Sequence, residues 1–332
     1  MNGPRLDVIG VGNAIVDVLA EADDAFLAAH GVPKGGMILI DEPRARAIYD
    51  AMRPGVEISG GSAANTIACL ASLGGRGGFI GKVANDALGE IFRHDLTALG
   101  VAFETAPLTE GPGTGRCLIN VTPDAQRSMT TYLGAAGLVS PDDVDPALVT
   151  DGRITFFEGY LFEQPTARAA FVKACGVAKK AGRKTALTLS DSSCVDRRHD
   201  AFIEFIGPHV DILLANEREA ETLFETNDFG EIAKKARALC PLTIVTRSEK
   251  GSILIPRERE IVSIPIVKPE RLVDTTGAGD AYAAGLLFGL ARDFDLARAG
   301  ALGALAAAEV IGHFGARPEK NLASLAREAG LL

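Results

Sequence analysis

Residues 273–285 read Val-Asp-Thr-Thr-Gly-Ala-Gly-Asp-Ala-Tyr-Ala-Ala-Gly, a glycine turn that runs into small apolar residues. A strand-like apolar run ends near Val267, so the glycines at 277 and 279 mark the passage from a strand into a helix. Glycine permits a tight turn and a close approach of ligand to backbone. The free N–H groups of the first helical turn then form an anion site. Asp280 beside it is either a plain helix-start carboxylate or a base for an attacking hydroxyl.

Upstream of this turn, strand-length apolar runs alternate with helix-length segments. The predicted strands are Ile154–Glu158, Thr185–Leu189, Val210–Ala215 and Leu242–Thr246, and the predicted helices are Thr166–Ala181, Ala201–Ile206, Glu217–Phe224 and Glu231–Leu239. Alternation of this kind indicates βαβ crossovers, and hence an α/β fold with a mostly parallel sheet between two layers of helices.

The first 135 residues follow a different pattern. Strands are predicted at Met37–Ile40, Val101–Phe103, Cys117–Val121 and Met129–Leu133, separated by turn-rich intervals. Alternating apolar residues at 117–121 indicate a sheet with one solvated face. We expect residues 1–12, 42–100 and 134–332 to form the α/β body, and the insertions 13–41 and 101–133 to pair into one antiparallel sheet over it.

Composition narrows the class of function. The 34 basic and 43 acidic residues give a net charge of −9 without a long basic block, which argues against nucleic-acid binding. The five cysteines and five histidines lack metal-ligand spacing, and the cysteines are expected as small buried side chains. No uncharged apolar run of about 18 residues and no signal peptide is recognised, so the expected location is the cytoplasm, away from membranes.

A second glycine-rich cluster, Ser-Gly-Gly-Ser-Ala-Ala-Asn-Thr at 59–66, precedes apolar residues at helical spacing. Ser62 can cap this helix, so the requirements of a helix start alone explain much of the cluster. Asn65, however, falls one turn inside the helix, where an amide gains nothing unless it binds something.

The GGSAAN and DTTGAGDAYAAG segments together resemble the two signatures of the ribokinase-like (PfkB-type) carbohydrate kinases, and the resemblance extends from Asp7 to Lys320. It implies a ribokinase-like three-layer sandwich with a small β-sheet lid, and ATP-dependent transfer of phosphate to a hydroxyl. Asp280 would be the catalytic base. The anion hole for the transferred phosphoryl group would be Gly277, Ala278 and Gly279.

Further segments match the family where it binds ATP and cations. Asn216-Glu217-Arg218-Glu219 looks like its Asn-x-x-Glu motif, which places Glu219 and Asn216 at Mg²⁺ through the water shell of the ion, although an isolated motif of this kind is usually a solvated helix start. The nucleotide contacts implied are Asn216, Thr246, Ser248, Gly251, Gly277 and Gly279, with Ser248 in place of the more usual glycine. Asp274 and Thr276 resemble a monovalent-cation site of some members, so K⁺ is a further possible cofactor.

The acceptor site implied by the resemblance begins at Gly12-Asn13-Ala14-Ile15-Val16-Asp17, where Asp17 is placed like the hydroxyl-binding aspartate of the family. The full implied set is Asn13, Asp17, Met37, Gly61, Ser62 and Asn65. Ile15 stands where a dinucleotide fingerprint has its third glycine, which argues against an NAD-dependent oxidoreductase.

Several segments resemble adenosine kinases more than ribokinases, among them residues 12–17, 114–136 and 318–320. In that comparison Arg127 is the lid arginine that reaches the phosphoryl group, and the alternative is an exposed strand arginine. Met37 would lie beside a purine, and the alternative is a methionine of the core. The apolar lid residues expected to face the ribose clamp are Met37, Ile38, Leu39, Cys117, Leu118 and Leu133.

We therefore expect adenosine as the small-molecule acceptor, phosphorylated on its 5′-hydroxyl to AMP. A kinase for ribose, fructose or 2-keto-3-deoxygluconate is the first alternative. A catalytically silent nucleoside sensor on the same fold is the second, since a fold does not fix a function. The sequence leaves open whether the protein is a monomer or a homodimer.

Overall fold

Two β-sheets organise the chain in the computed structural model, which describes residues 3–124 and 126–332. The strands are β1 (Leu6–Val11), β2 (Ile15–Glu21), β3 (Met37–Leu39), β4 (Val56–Gly60), β5 (Gly77–Ile80), β6 (Gly115–Val121), β7 (Arg127–Tyr132), β8 (Gly152–Glu158), β9 (Lys184–Thr188), β10 (Ile212–Asn216), β11 (Leu242–Thr246), β12 (Ser252–Pro256) and β13 (Val262–Ile264).

The α-helices surround these sheets. They are α1 (Asp24–Ala29), α2 (Glu42–Ala51), α3 (Ser62–Ser72), α4 (Ala87–Ala98), α5 (Pro146–Asp151), α6 (Pro165–Lys180), α7 (Ser192–Arg197), α8 (His199–His209), α9 (Glu217–Phe224), α10 (Phe229–Leu239), α11 (Ala278–Ala291), α12 (Leu296–Val310) and α13 (Leu322–Glu328). Short 3₁₀ helices lie at Gly134–Leu138, Pro141–Asp143, Gly159–Glu163 and Ser248–Lys250. Within the described ranges, no helix is both long enough and apolar enough to cross a bilayer.

The larger sheet has eight strands in the order β13-β12-β11-β10-β9-β8-β1-β5. Pairing is parallel from β11 to β5, and β12 and β13 add an antiparallel edge. Neighbouring residues of one strand enter two different cores, as Val8 and Ile9 of β1 do. Both faces are therefore covered by helices, which confirms the predicted mostly parallel, three-layer α/β fold.

The smaller sheet has the order β3-β7-β6-β2-β4, and two details of its prediction are wrong. It is mixed, because β2 pairs parallel with β6 and β3 with β7, whereas β6–β7 and β2–β4 are antiparallel. Its fifth strand, β4, lies in the segment 42–100 that we assigned to the body. Val56 and Ile58 alternate there with Glu57 and Ser59, a period-two signal over five residues that we overlooked.

Residues 101–103 are not a strand of the smaller sheet. Ala102 forms a parallel bridge with Gly78 at the edge of the larger sheet, and Val101 and Phe103 are buried in the core below it. The expected solvated face of β6 is also absent. Leu118 is fully buried in the same core as Ile48 of α2, so a helix covers this face.

Two glycine-started helices position the functional residues. Gly61 precedes α3 with φ 97°, and Gly277 precedes α11 with φ 76°, both in the left-handed region that favours glycine. A side chain at Gly61 would collide with the carbonyl of Asn13, and one at Gly277 with the backbone of Ala316. The N-cap of α3 is thus Gly61, not Ser62 as predicted, which frees the Ser62 hydroxyl for another partner.

Candidate active site

The starts of α3 and α11 bring Ser62 and Asp280 together. The Ser62 hydroxyl donates to Oδ1 of Asp280 at 2.6 Å. Burial raises the pKa of Asp280 to about 7, and the charges of Glu158 and Asp17 add to the rise, while donation from Ser62 and Asn65 opposes it. A carboxylate with this pKa can accept a proton near neutral pH, as a general base must.

Glu158, at the end of β8, is a buried carboxylate that our sequence reasoning missed. Its Oε1 accepts from the backbone N–H of Asn13 at 3.2 Å and from the Asn13 side-chain amide, and its Oε2 accepts from the N–H of Ala63 at 2.9 Å. A side chain at Gly12 would collide with this carboxylate, which explains the glycine there. Burial raises the pKa of Glu158. The signal available in the sequence was an acidic residue closing an otherwise apolar strand.

Asn13 is therefore engaged from within the protein. Its side-chain nitrogen donates to Glu158, and its Oδ1 is buried without a donor among the described residues. An unpaired buried acceptor costs about 1–3 kcal/mol, so a bound hydroxyl would relieve it.

Asp17 lies on β2 and projects toward the body. A side chain at Gly60 would overlap its carboxyl group, so the glycine pair at 60–61 makes room for both Asp17 and Asn13. Burial raises the pKa of Asp17 to about 6, against the opposing charges of Arg317 and Arg127. The structure thus gathers a carboxylate and two guanidinium groups beneath the smaller sheet.

The face of the smaller sheet that carries Asp17 is largely apolar. Cross-strand register places Ile58 of β4 and Cys117 of β6 directly beside Asp17. Beyond Cys117 the same row continues to Thr131 of β7 and then to Leu39 of β3. By the same register the face includes Met37, Leu39, Val56, Ile58, Cys117, Ile119 and Met129, of which the first four are exposed.

Two residues predicted to line this face do not lie on it. Ile38 and Leu118 alternate with Leu39 and Cys117, so they point to the opposite face of the sheet. Leu133 follows β7 and is half-buried at the start of a 3₁₀ helix. The apolar surface exists, but Ile58 and Met129 contribute to it in their place.

Arg127 joins the smaller sheet to the turn before α11. Its Nη2 lies 2.7 Å from Oδ2 of Asp274, and its guanidinium lies 5.4 Å from the ring centre of Phe314. Only 8% of the residue is exposed, which excludes the plain exposed-arginine interpretation. The ion pair is close but not aligned as a hydrogen bond, and the Nε and Nη2 protons find no acceptor in the described residues. Buried donors in this state can receive an anion.

The turn at 277–279 differs in detail from the predicted anion hole. The N–H of Ala278 donates to the carbonyl of Thr275 at 3.2 Å, so this amide is already used. Gly279 is exposed, and a side chain there would meet no atom within 4 Å. Open space at the start of α11 suits the close approach of an anionic group.

Asp274 and Thr276 do not fit a monovalent cation in this arrangement. Oδ1 of Asp274 accepts from the backbone N–H of Thr276 at 3.1 Å and from its hydroxyl at 2.8 Å. Oδ2 accepts from the N–H of Gly315 at 3.2 Å and contacts Arg127 at 2.7 Å. Three hydrogen bonds and the guanidinium of Arg127 therefore already surround this carboxylate, which leaves little room for a cation.

A cleft of about 490 Å³ opens at the end of β10 and β11. It is lined by Asn216, Glu217, Arg218, Glu221, Thr246 and Ser248. Three of the predicted nucleotide contacts thus share one cavity of a size typical for small-molecule sites. Gly251 lies in the adjoining turn, where a side chain would collide with the carbonyl of Ile264, so its glycine is explained by the fold.

Asn216 and Glu219 form a capping box at the start of α9. The Asn216 side chain donates to Oε1 of Glu219 at 2.6 Å, and its backbone N–H donates to Oε2 at 3.0 Å. The helix-start interpretation is therefore correct. Glu219 is nevertheless buried, and burial together with the charge of Asp191 raises its pKa to about 7. No group of three or more possible metal ligands occurs among the described residues, and both oxygens of Glu219 accept from Asn216, so Glu219 could act on a divalent cation only through water.

Fold and site together define a kinase that passes a phosphoryl group from a nucleotide to a hydroxyl. The sequence profile of the pfkB family carbohydrate kinases matches residues 52–321, and the chain belongs to that family. It is an ATP-dependent kinase.

Individual relatives cover nearly the whole chain. The chain is 26% identical to adenosine kinase 2 of Arabidopsis thaliana, covering 94% of this chain and 96% of that protein. Among solved structures it is similar to adenosine kinase from Sinorhizobium meliloti, at 48% identity over 98% of this chain and 99% of that one, with a TM-score of 0.91. It is equally similar in fold to a probable sugar kinase protein from Rhizobium etli CFN 42, at 43% identity over 99% and 100%, with a TM-score of 0.92.

Proposed function

We propose that this kinase phosphorylates the 5′-hydroxyl of adenosine, converting adenosine and ATP to AMP and ADP. The observation that carries the proposal is one sheet face, on which Asp17 lies beside the exposed Ile58 and which continues to the exposed Met37 and Leu39 on the far strand β3. A ribose needs a polar clamp and a purine needs a flat apolar surface. The names of the relatives from Arabidopsis thaliana and Sinorhizobium meliloti support the same acceptor.

In this proposal Asp17 accepts from the vicinal ribose hydroxyls, an arrangement that gives strong, directional binding. The unpaired Oδ1 of Asn13 and the amide of Asn65 supply further contacts. Gly61 keeps the backbone open between Asn13 and Asp17. Ser62 acts on Asp280 through its hydroxyl hydrogen bond of 2.6 Å. The primary hydroxyl is thereby aimed toward the start of α11.

Asp280 accepts the proton of the 5′-hydroxyl. The hydroxyl oxygen bonds to the γ-phosphorus, and the bond between the γ-phosphorus and the oxygen that leaves with ADP breaks. A positioned base contributes about a hundredfold to ten-thousandfold. Positioning of the reactants and stabilisation of the transferred charge contribute more than the base does in phosphoryl transfer. We assign these two effects to the backbone N–H groups of Gly277 and Gly279, which donate to no carbonyl among the described residues, and to the buried donors of Arg127.

ATP is proposed to occupy the cleft at Asn216, Thr246 and Ser248. Glu219, with Asn216 beside it and Asp191 nearby, would hold Mg²⁺ through water, and the ion supplies charge neutralisation of the phosphates. The desolvated carboxylate of Glu219, with its pKa raised to about 7, gains from such a cation. At Asp274 three hydrogen bonds and the guanidinium of Arg127 already surround the carboxylate, so a resident K⁺ is not part of the proposal.

The smaller sheet is proposed to act as a lid that closes on the body and excludes water from the transfer. The lid then comprises 13–41, residues 104–133 of the second insertion and β4. The ion pair between Arg127 and Asp274 links lid and body in the present arrangement. The five buried thiols suit a reducing cytoplasm. Val56, exposed on edge strand β4, would be covered in a homodimer.

A free sugar is the second candidate acceptor. The Oδ1 of Asn13 and the Nη2 of Arg317 are buried side-chain atoms without a partner among the described residues, and extra sugar hydroxyls would satisfy them. The neighbour from Rhizobium etli, named a probable sugar kinase, points the same way.

Product analysis tests the proposal directly. With adenosine and γ-labelled ATP, the label should appear in AMP, and 5′-deoxyadenosine should accept none. Label transferred to a 2′- or 3′-hydroxyl, or the absence of any transfer to adenosine under conditions that phosphorylate a sugar, would contradict it.

A further inference from the structure

Arg317 lies after α12, outside both glycine-rich segments, and its side chain reaches Asn65 of α3. Its Nε donates to the Asn65 Oδ1 at 3.2 Å, across 252 residues of sequence. Burial lowers the pKa of Arg317, and the charges of Asp17 and Asp95 oppose that effect. A guanidinium held under these conditions is expensive, so it calls for a functional explanation.

The contact decides which way the Asn65 amide faces. A guanidinium carries five donors and no acceptor, so only the oxygen of Asn65 can face it. The amide nitrogen must then point away from Arg317. Asn65 lies one helical turn after Ser62, whose hydroxyl donates to Asp280, and the Asn65 amide lowers the pKa of Asp280. Asn65 is almost fully buried in α3, so water is a poor substitute for Arg317 in fixing this choice.

We infer that Arg317 is a positioning residue for Asp280, acting through the orientation of the Asn65 amide; this rests on the proposed role of Asp280 as the base. Ser62 and Asn65 lie one turn apart on α3, and the Ser62 hydroxyl donates to Oδ1 of Asp280 at 2.6 Å, so the Asn65 nitrogen is the second donor available to this carboxylate from the same helix. Without Arg317 the amide can rotate and present its oxygen to Asp280. Two acceptors would then face each other, and the ionised carboxylate would lose a donor.

The charged groups near Asp280 disfavour its ionised form, so that form depends on hydrogen-bond donors. Glu158 on β8 and Asp17 on β2 both oppose ionisation. Cys69 on α3 and Tyr160 in the 3₁₀ helix after β8 lie within electrostatic reach, but burial raises the pKa of each, so both stay neutral near pH 7. The donors Ser62 and Asn65 are the groups that lower the pKa of Asp280.

The test is a titration of Asp280 in the resting enzyme by carboxyl ¹³C NMR, with the resonance assigned by its loss in Asp280→Asn. Arg317→Met should raise the titration midpoint by about one pH unit or more, the scale for losing a hydrogen bond to a charged group. Arg317→Lys, which keeps a donor, should stay closer to wild type. An unchanged midpoint in folded Arg317→Met would overturn the inference.

A double-mutant cycle separates the amide from a general effect of charge. In an Asn65→Ala background, Arg317→Met should leave the midpoint unchanged, because both residues act through one amide. An equal shift in both backgrounds would show that the guanidinium acts by charge alone and would overturn the inference. If Arg317→Met does not fold, Arg317→Gln enters the same cycle. The titration is measured without any acceptor, so its result does not depend on whether adenosine is the substrate. If adenosine is not the substrate, the wild type will show no turnover with it in a separate assay.

Discussion

Replacing Asp280 by asparagine should raise stability while it lowers turnover. The folded-state pKa of Asp280 is about 7, above its ordinary value of 3.8. A group shifted in this direction stabilises the folded protein fully below pH 3.8, and this contribution is lost as the pH rises through 7. At pH 8 the wild type therefore carries a desolvated charge that asparagine lacks, so Asp280→Asn should be the more stable protein.

The pH dependence gives the prediction a magnitude. One pKa unit corresponds to about 1.4 kcal/mol, so the stability gap between variant and wild type should narrow by about 1.4 kcal/mol between pH 8 and pH 6. Urea unfolding of both proteins at the two pH values measures this gap, provided the slopes agree. Turnover at pH 8 should fall at least about a hundredfold, the usual scale for a positioned base, and the fall should be smaller at pH 6, where most of Asp280 is already protonated in the wild type.

A matched control is Asp196→Asn, at an exposed position of α7. Its stability relative to wild type should not change between pH 6 and pH 8. A pH-independent gap for Asp280→Asn, together with near-normal turnover, would refute the reasoning and leave Asp280 as an ordinary helix-start carboxylate.

Three further predictions follow from single contacts. Three hydrogen bonds and the guanidinium of Arg127 surround the carboxylate of Asp274, so replacing K⁺ by choline should change the wild-type rate less than about twofold. Arg127→Ala, which removes the guanidinium from one side of that carboxylate, should lower turnover and make it sensitive to K⁺. Tenfold activation of wild type by K⁺ would contradict this prediction. Ser248 has φ 48°, so Ser248→Gly should stabilise the protein by up to about 1 kcal/mol in urea unfolding, and a loss of stability would count against backbone strain there. Ile58→Ser should raise the KM for adenosine at least about tenfold without changing that for ATP, unlike the control Ile261→Ser, an equally exposed isoleucine remote from Asp17; equal effects would remove Ile58 from the acceptor site.

Local periodicity was sufficient for the body of the fold. The helix Glu217–Phe224 and the strand Leu242–Thr246 have the predicted bounds, because a short buried run between polar turns has few alternatives. The pairing of β4 could not be found in the same way. Its five residues carry a clear alternation, but their choice of β2 as partner depends on contacts about 40 residues away in sequence.

The site residues likewise fall into those that a local sequence pattern predicts and those that depend on contacts distant in sequence. Glycine turns with an adjacent carboxylate, as at Gly277 and Asp280, are local patterns and were recognised as such. Glu158 and Arg317 were missed because their roles arise from contacts across 145 and 252 residues, which no local spacing encodes. The inclusion of Leu118 in the apolar slot was an avoidable error, since strand alternation already sets it opposite to Cys117.

The central claim, adenosine as acceptor, is tested most directly by kcat/KM measured side by side for adenosine, ribose, fructose and 2-keto-3-deoxygluconate under one set of conditions. The ratio reports transition-state discrimination between acceptors and does not depend on any assigned residue role. We predict that adenosine is preferred over each free sugar by at least about tenfold, or about 1.4 kcal/mol. A free sugar that exceeds adenosine by the same factor would contradict the claim, and the protein would then be a sugar kinase of the same family.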